Sequence, residues 1–177
     1  MCGSYTAGFT GDTAFGGSSA GAIYVNDAPA HRAPCDGTVY AWHYCYYPEN
    51  NQDDLEVAFG AYGRNSGNGQ FILRPGSYFL LYLESREDSF SCGTVILSPS
   101  QYFMIHSGDR VGACMRNNGF EFLDILAESA PSNLEVTRWG DSSGSCEEND
   151  MRQSNGDLDT VSSFILHLYV DISKPNF

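Results

Sequence analysis

The densest chemistry in the chain lies near its C-terminal end. Glu147, Glu148, Asp150, Asp157 and Asp159 stand within one polar segment. Calcium takes roughly six to eight oxygen ligands, and such a segment offers several. The spacing is not that of an EF-hand. Counting back from Gly156, the positions that need acids hold Met151, Gln153 and Asn155. A calcium site would therefore draw on separate loops, with Asp53 and Asp54 as further donors. A solvated acidic loop is the simpler reading. Trp139 borders this segment and is the candidate for an exposed ligand contact. His31, His43, His106 and His167 are isolated in sequence. They could form a metal or acid–base site only through the fold, and ordinary strand histidines are the preferred reading. Tyr40-Ala41-Trp42-His43-Tyr44-Cys45-Tyr46-Tyr47 is the densest aromatic run. Strict alternation puts Tyr40, Trp42, Tyr44 and Tyr46 on one face, as a sugar-binding platform or, by preference, a core strand.

Gly140-Asp141-Ser142-Ser143-Gly144 is similar to the Gly-Asp-Ser-Gly-Gly around a trypsin-like nucleophile. The match is imperfect, and no histidine stands in the accompanying context. A triad needs a base and an orienting acid in fixed geometry, so these residues read as a polar loop. No paired carboxylates stand on a recognisable acid–base motif. The glycines mark turns rather than a phosphate loop. No catalytic residue and no cofactor other than calcium is indicated.

Such residues need a scaffold, and the composition favours strands. Of the 177 residues, 42% are hydrophobic and 14% aromatic, a globular balance rich in strand formers. Strand-like runs span Ala22 to Val25, Thr38 to Tyr47, Leu55 to Tyr62, Gln70 to Arg74, Tyr78 to Glu84 and Phe90 to Leu97. Others span Gln101 to Ile105, Arg110 to Arg116, Phe120 to Ala127, Leu134 to Arg138 and Ser163 to Asp171. Turn residues separate them at 65–69, Pro75-Gly76, Ser98-Pro99, 107–109 and Asn117-Asn118-Gly119. The alternation in 120–126 is broken, as at a bulge or an edge. In the last run Phe164, Leu166, Leu168 and Val170 face inward, and Ile165, His167, Tyr169 and Asp171 outward. No segment carries a helical period. The expectation is one domain over 1–177, an antiparallel, jelly-roll-like β-sandwich of about ten strands. Residues 1–20 form a Gly/Ser-rich arm tied by Cys2, and 140–162 form a long acidic loop anchored by Cys146.

The net charge of −13 opposes binding to nucleic acid or anionic lipid. The longest apolar stretches are too short to span a bilayer. Cys2, Cys35, Cys45, Cys92, Cys114 and Cys146 are widely spaced with no C-x-x-C pair. They read as a disulfide framework in an oxidising compartment. Sequence alone does not choose the pairing. Met1 to Tyr5 lack the pattern of a leader, so an extracellular chain would here be a mature product or an excised domain. No N-x-[ST] sequon occurs.

One combination resembles a known family. Cys35-Asp36-Gly37-Thr38-Val39 precedes Trp42-His43-Tyr44-Cys45-Tyr46-Tyr47. Gly108-Asp109-Arg110-Val111-Gly112-Ala113-Cys114, Leu123-Asp124-Ile125 and Leu166-His167-Leu168-Tyr169-Val170-Asp171-Ile172 follow. Together, over residues 35 to 172, they resemble an extracellular domain of marine-invertebrate secreted and receptor-like proteins. There it stands beside epidermal-growth-factor-like and fibronectin-type modules. The shared residues are cysteines, a tryptophan and strand ends, so no catalytic residue carries over. Cys45 and Cys114 both lie inside strands, and a bridge between them would staple two strands or two sheets. The resemblance implies an extracellular matrix, adhesion or scaffold role.

The expected function is a non-catalytic structural or protein-interaction module in a matrix or mineral-associated assembly. The alternative is a carbohydrate-binding, lectin-like module assisted by calcium. A hydrolase would require His43, His106 or His167 to meet acidic residues in a pocket.

Overall fold

Two-residue alternation decides which side chains fill the centre of this molecule. The computed structural model describes residues 5–8, 22–48, 55–83, 91–115, 120–121, 123–125, 136–140, 146–154, 158–161, 164–166 and 168–173. Its strands are β1 (Tyr5–Gly8), β2 (Ile23–Asn26), β3 (Gly37–Pro48), β4 (Leu55–Arg64), β5 (Phe71–Leu73), β6 (Phe79–Leu83), β7 (Ser91–Ile96) and β8 (Phe103–Ile105). They continue as β9 (Arg110–Met115), β10 (Phe120–Glu121), β11 (Leu123–Ile125), β12 (Val136–Trp139), β13 (Asp159–Val161), β14 (Phe164–Leu166) and β15 (Leu168–Ser173). One short helix, α1 (Glu148–Met151), interrupts them.

The strands form two antiparallel sheets. Sheet A runs β1-β15-β3-β10, with β7 and β8 also paired to β3. Sheet B runs β13-β12-β2-β9-β4-β5, with β6 also on β4. β11 and β14 pair separately. Trp42 of β3 meets Phe59 of β4 across the gap at 5.4 Å and Phe103 at 5.8 Å. Val57, Phe59 and Ala61, Val111, Ala113 and Met115, and Leu168, Val170 and Ile172 complete this core. The antiparallel sandwich expected from the sequence is the fold. Burying side chains of this size contributes about 1.5–3 kcal/mol each.

Sheet B is buried on its inner face and over part of its outer face. Its outward residues Ile23, Val25, Ala58, Tyr62, Cys114 and Trp139 join Phe71 and Leu73 in a second core. The roof is the segment expected to be a structureless acidic loop. Cys146, Met151 and Leu158 turn inward from it, while Glu147, Glu148 and Asp150 stay exposed. Cys146 is bonded to Cys114, as its anchoring role required. Ser154 takes a hydrogen bond from Phe71 N and donates its own N–H to Phe71 O. The end of the segment becomes β13, paired with β12. The described charged residues face water and three apolar ones face the sheet, so the composition reads as loop while the backbone is docked.

Other expectations change. Residues 5–8, expected within an arm, form β1 on the edge of sheet A, paired with β15. The run from Phe120 splits because the chain changes partner: β10 joins β3 and β11 joins β14. Asn117 to Gly119, Asp53, Asp54 and His167 lie outside the described residues. In β3 the pairing steps from Ala41↔Asp171 to Val39↔Ile172, a bulge that leaves Tyr40 without a partner on β15. Val39 and Trp42 are both fully buried, so Tyr40 is out of step with Trp42, Tyr44 and Tyr46. At Pro75-Gly76 the expected turn forms. Ser77 N donates to Arg74 O, and Gly76 takes φ 73°, a left-handed conformation that favours glycine.

The suggested Cys45–Cys114 bridge is not formed. Cys45 is bonded to Cys92 on the neighbouring strand β7, in direct register, with Cα atoms 4.0 Å apart. The reason is parity. Trp42 and Tyr46 point into the sandwich, so Cys45 points out of sheet A. Ala113 and Met115 point in, so Cys114 points out of sheet B. Cys35 is also disulfide-bonded, and Cys2 lies outside the described residues.

Asp27, just after β2, gathers four segments at one end of sheet B. Its carboxylate accepts from Arg110 Nε at 2.6 Å, Arg64 Nη1 at 3.0 Å, Arg32 Nη2 at 3.3 Å and Thr137 Oγ1 at 3.3 Å. Beside it Arg74 grips Asp109 with two bonds, at 2.7 and 2.6 Å. That pairing holds the Arg74 guanidinium above its ordinary range.

Candidate functional site on the outer face of sheet A

The outer face of sheet A has no roof among the described residues. Paired residues share a face in an antiparallel sheet, so the register gives its layout. His43 on β3 lies between Thr94 on β7 and Tyr169 on β15, and Cys45 pairs with Cys92 one step along. The His43 and Tyr169 rings stack at 4.4 Å, 8° from parallel. His43 Nε2 lies 2.7 Å from Asp171 Oδ2, and Nδ1 lies 2.9 Å from Thr94 Oγ1. Burial, and then the Asp171 charge, raise the Tyr169 phenol above its ordinary pKa. A shallow depression is lined by His43, Tyr44, Cys45, Cys92, Gly93, Thr94 and Tyr169. Gly93 lets the Tyr44 ring cross β7 from the core side, where a Cβ would collide with it.

The order hydroxyl, imidazole, carboxylate is that of a nucleophile, base and orienting acid. Thr94 is exposed, and among the described residues the groups sit on an open strand surface. A polar ladder that fixes three strands explains the same bonds. Further along this face stand Ile96, 68% exposed, and Met104, 40% exposed. Thr38 donates to the Met104 sulfur, and Thr6 is exposed beside β15. Among the described side chains of this face, Asp171 is the one carboxylate.

The residues singled out in the sequence do not converge here. Glu147, Glu148 and Asp150 are exposed around α1, Asp159 is exposed on β13, and Asp157 lies outside the described residues. No group of three or more His, Cys, Asp or Glu that could hold a metal occurs among the described residues. Trp139 is not an exposed contact. It is 2% exposed, stacked on Phe71 at 5.3 Å and edge-on to Tyr62. The polar residues after it belong to the segment that covers it. His106 faces Asp36 at 3.6 Å, with both side chains exposed. The Ser107 N–H donates to Asp36 and, with His106, holds that carboxyl below its usual range. His31 is buried, and burial pushes its pKa down.

The sequence search missed the contact of His43 with Asp171, which lie 128 residues apart. The available signal was weak: His43 sits at an outward position of β3, and Asp171 at one of β15. Another depression, near the sandwich mouth, is lined by Trp42, Ser77, Tyr78, Gln101 and Phe103, among others. No described helix is long and apolar enough to cross a membrane. Compared with family models, curated proteins and solved structures, the chain matches none.

Proposed function

We propose that this chain is an extracellular, non-catalytic structural module that assembles through the outer face of sheet A. The observation that carries the reading is the asymmetry of the sandwich. Sheet B is roofed over part of its outer side, whereas among the described residues nothing covers the outer face of sheet A. In a chain with 22 acidic residues, a face whose described side chains include one carboxylate is unusual. Interface cores are depleted in charge in the same way. Isolated exposed apolar residues such as Tyr82 need no such explanation. On this face Ile96 and Met104 adjoin uncharged hydroxyls, a stacked aromatic pair and a disulfide. These features favour a protein partner over a mineral surface or a cation. A second copy is the simplest partner, because one face can pair with itself about a two-fold axis. The disulfides and the marine-invertebrate resemblance support an extracellular setting.

Sedimentation velocity at physiological ionic strength tests the assembly. The wild type is expected to associate as its concentration rises, and Ile96→Lys to stay monomeric with an unchanged melting temperature. A wild type that stays monomeric throughout would defeat the reading.

One observation favours carbohydrate binding as a second reading. The depression beside the His43–Tyr169 stack offers a ring edge, the Thr94 hydroxyl and the Asp171 carboxylate, which suit a sugar. Binding on a glycan array, with or without calcium, that is lost in Tyr169→Ala would support it. A silent array would remove it.

A further inference from the structure

Only nine residues of this acidic chain are basic, and three of them meet on Asp27. Arg32, Arg64 and Arg110 all contact its carboxylate. Three guanidinium groups against one carboxylate leave an excess of two positive charges. The adjacent Arg74 adds nothing to this excess, because Asp109 neutralises it. Asp27 cannot absorb more, since Thr137 also occupies its carboxylate.

The three side chains divide their donors alike. Arg32 commits Nε and Nη2 to Asp27 O, at 3.0 and 2.8 Å. Arg64 commits Nε to Gly69 O at 3.2 Å and Nη1 to Asp27. Arg110 commits Nε to Asp27 and Nη1 to Gly108 O at 2.6 Å. Arg32 Nη1, Arg64 Nη2 and Arg110 Nη2 make no hydrogen bond among the described residues. Each fork is therefore anchored by two nitrogens and keeps a third in reserve. Arg64 and Arg110 also lie over the Phe71 ring, at 5.4 and 5.7 Å. Their conformational entropy is already spent, which favours binding by the donors that are left. Arg32 and Arg64 are 31% and 41% exposed, so solvent reaches the cluster. Arg110 is held below its ordinary range by burial first, against the pull of Asp27, with Arg32 and Arg64 adding to the depression. The cluster carries positive charge that its own carboxylate does not balance.

We propose that Arg32, Arg64 and Arg110 form a binding site for one small tetrahedral oxyanion, a phosphate or sulfate group. A dianion matches the excess of two charges, and guanidinium forks suit its oxygens. The overall charge of −13 opposes a long polyanion, so the ligand is a single group. It is either the free ion or a phosphate monoester on a sugar or protein. The site lies at the Asp27 end of sheet B, apart from the outer face of sheet A. Its failure would leave the assembly reading intact.

Isothermal titration of the full chain with inorganic phosphate and inorganic sulfate tests the proposal. We expect one saturable site per chain. Arg64→Gln and Arg32→Gln should each weaken it by about tenfold or more, whereas the exposed Arg152→Gln should leave it unchanged. Arg32 and Arg64 are substituted separately, so a folding defect in one leaves the other to decide; circular dichroism melting identifies the folded variant. A parallel titration with glucose 6-phosphate separates the sources: tighter binding than inorganic phosphate assigns a sugar ester, and no tighter binding the free ion. No saturable binding of either inorganic ion by the wild type would overturn the proposal. So would binding that survives unchanged in a folded Arg64→Gln or Arg32→Gln.

Discussion

Asp27 shows how much one side chain can organise. It is 3% exposed, and its partners come from the turn after β2, from β4, from β9 and from β12. Asp27→Asn keeps the shape and removes the charge, leaving three arginines without their counter-ion. Breaking a buried pair in this way costs about 3 kcal/mol or more. A urea denaturation midpoint that barely moves would show the arginines to be well solvated without Asp27. His31 gives a second test at this scale. Burial lowers its folded pKa below 6.5, so the unfolded chain binds the proton more readily. Stability is complete above pH ~6.5 and is lost as pH falls from there toward the lowered folded value. Going from pH ~7.5 to ~5, wild type should lose more stability than His31→Gln; equal losses would contradict the assignment. Neither constellation was legible in the sequence. Asp27 and His43 are single letters among turns and strands, and register sets their partners. Trp139 misled because the polar residues after it suggest exposure, although it stands on the outward side of sheet B, beneath the roof.

At the scale of elements, most strands were legible because turn residues punctuate alternating runs. β13 and α1 were not, since they lie in a segment whose described charged residues face water. The Cys114–Cys146 bridge is what makes that segment a roof. It closes a separation of 32 residues, worth about 3–4 kcal/mol by loop entropy. Replacing both cysteines by serine should lower stability by that order. It should also speed amide exchange over residues 146–154 and shift Trp139 fluorescence to the red. Unchanged exchange there would mean that Met151 and Ser154 hold the roof unaided. The disulfide pairing itself was half legible. Tryptophan and tyrosine at even positions of β3 put Cys45 on the outward face, which already forbids a bridge through the core. Which neighbour Cys45 meets is long-range register, and that is not written locally.

For the whole molecule, the sandwich and its disulfides follow from composition and spacing, but the inequality of its two outer faces does not. That inequality comes from one segment folding over sheet B and none of the described residues folding over sheet A. The central claim is that the uncovered face is an assembly surface. Hydroxyl-radical footprinting at low and high protein concentration tests it most directly, because Met104 and Ile96 lie on that face and Tyr82, 63% exposed, lies on sheet B. We predict that oxidation of Met104 and Ile96 falls as concentration rises while that of Tyr82 stays constant. Protection of Tyr82 instead, or no concentration dependence at any of the three, would contradict the account.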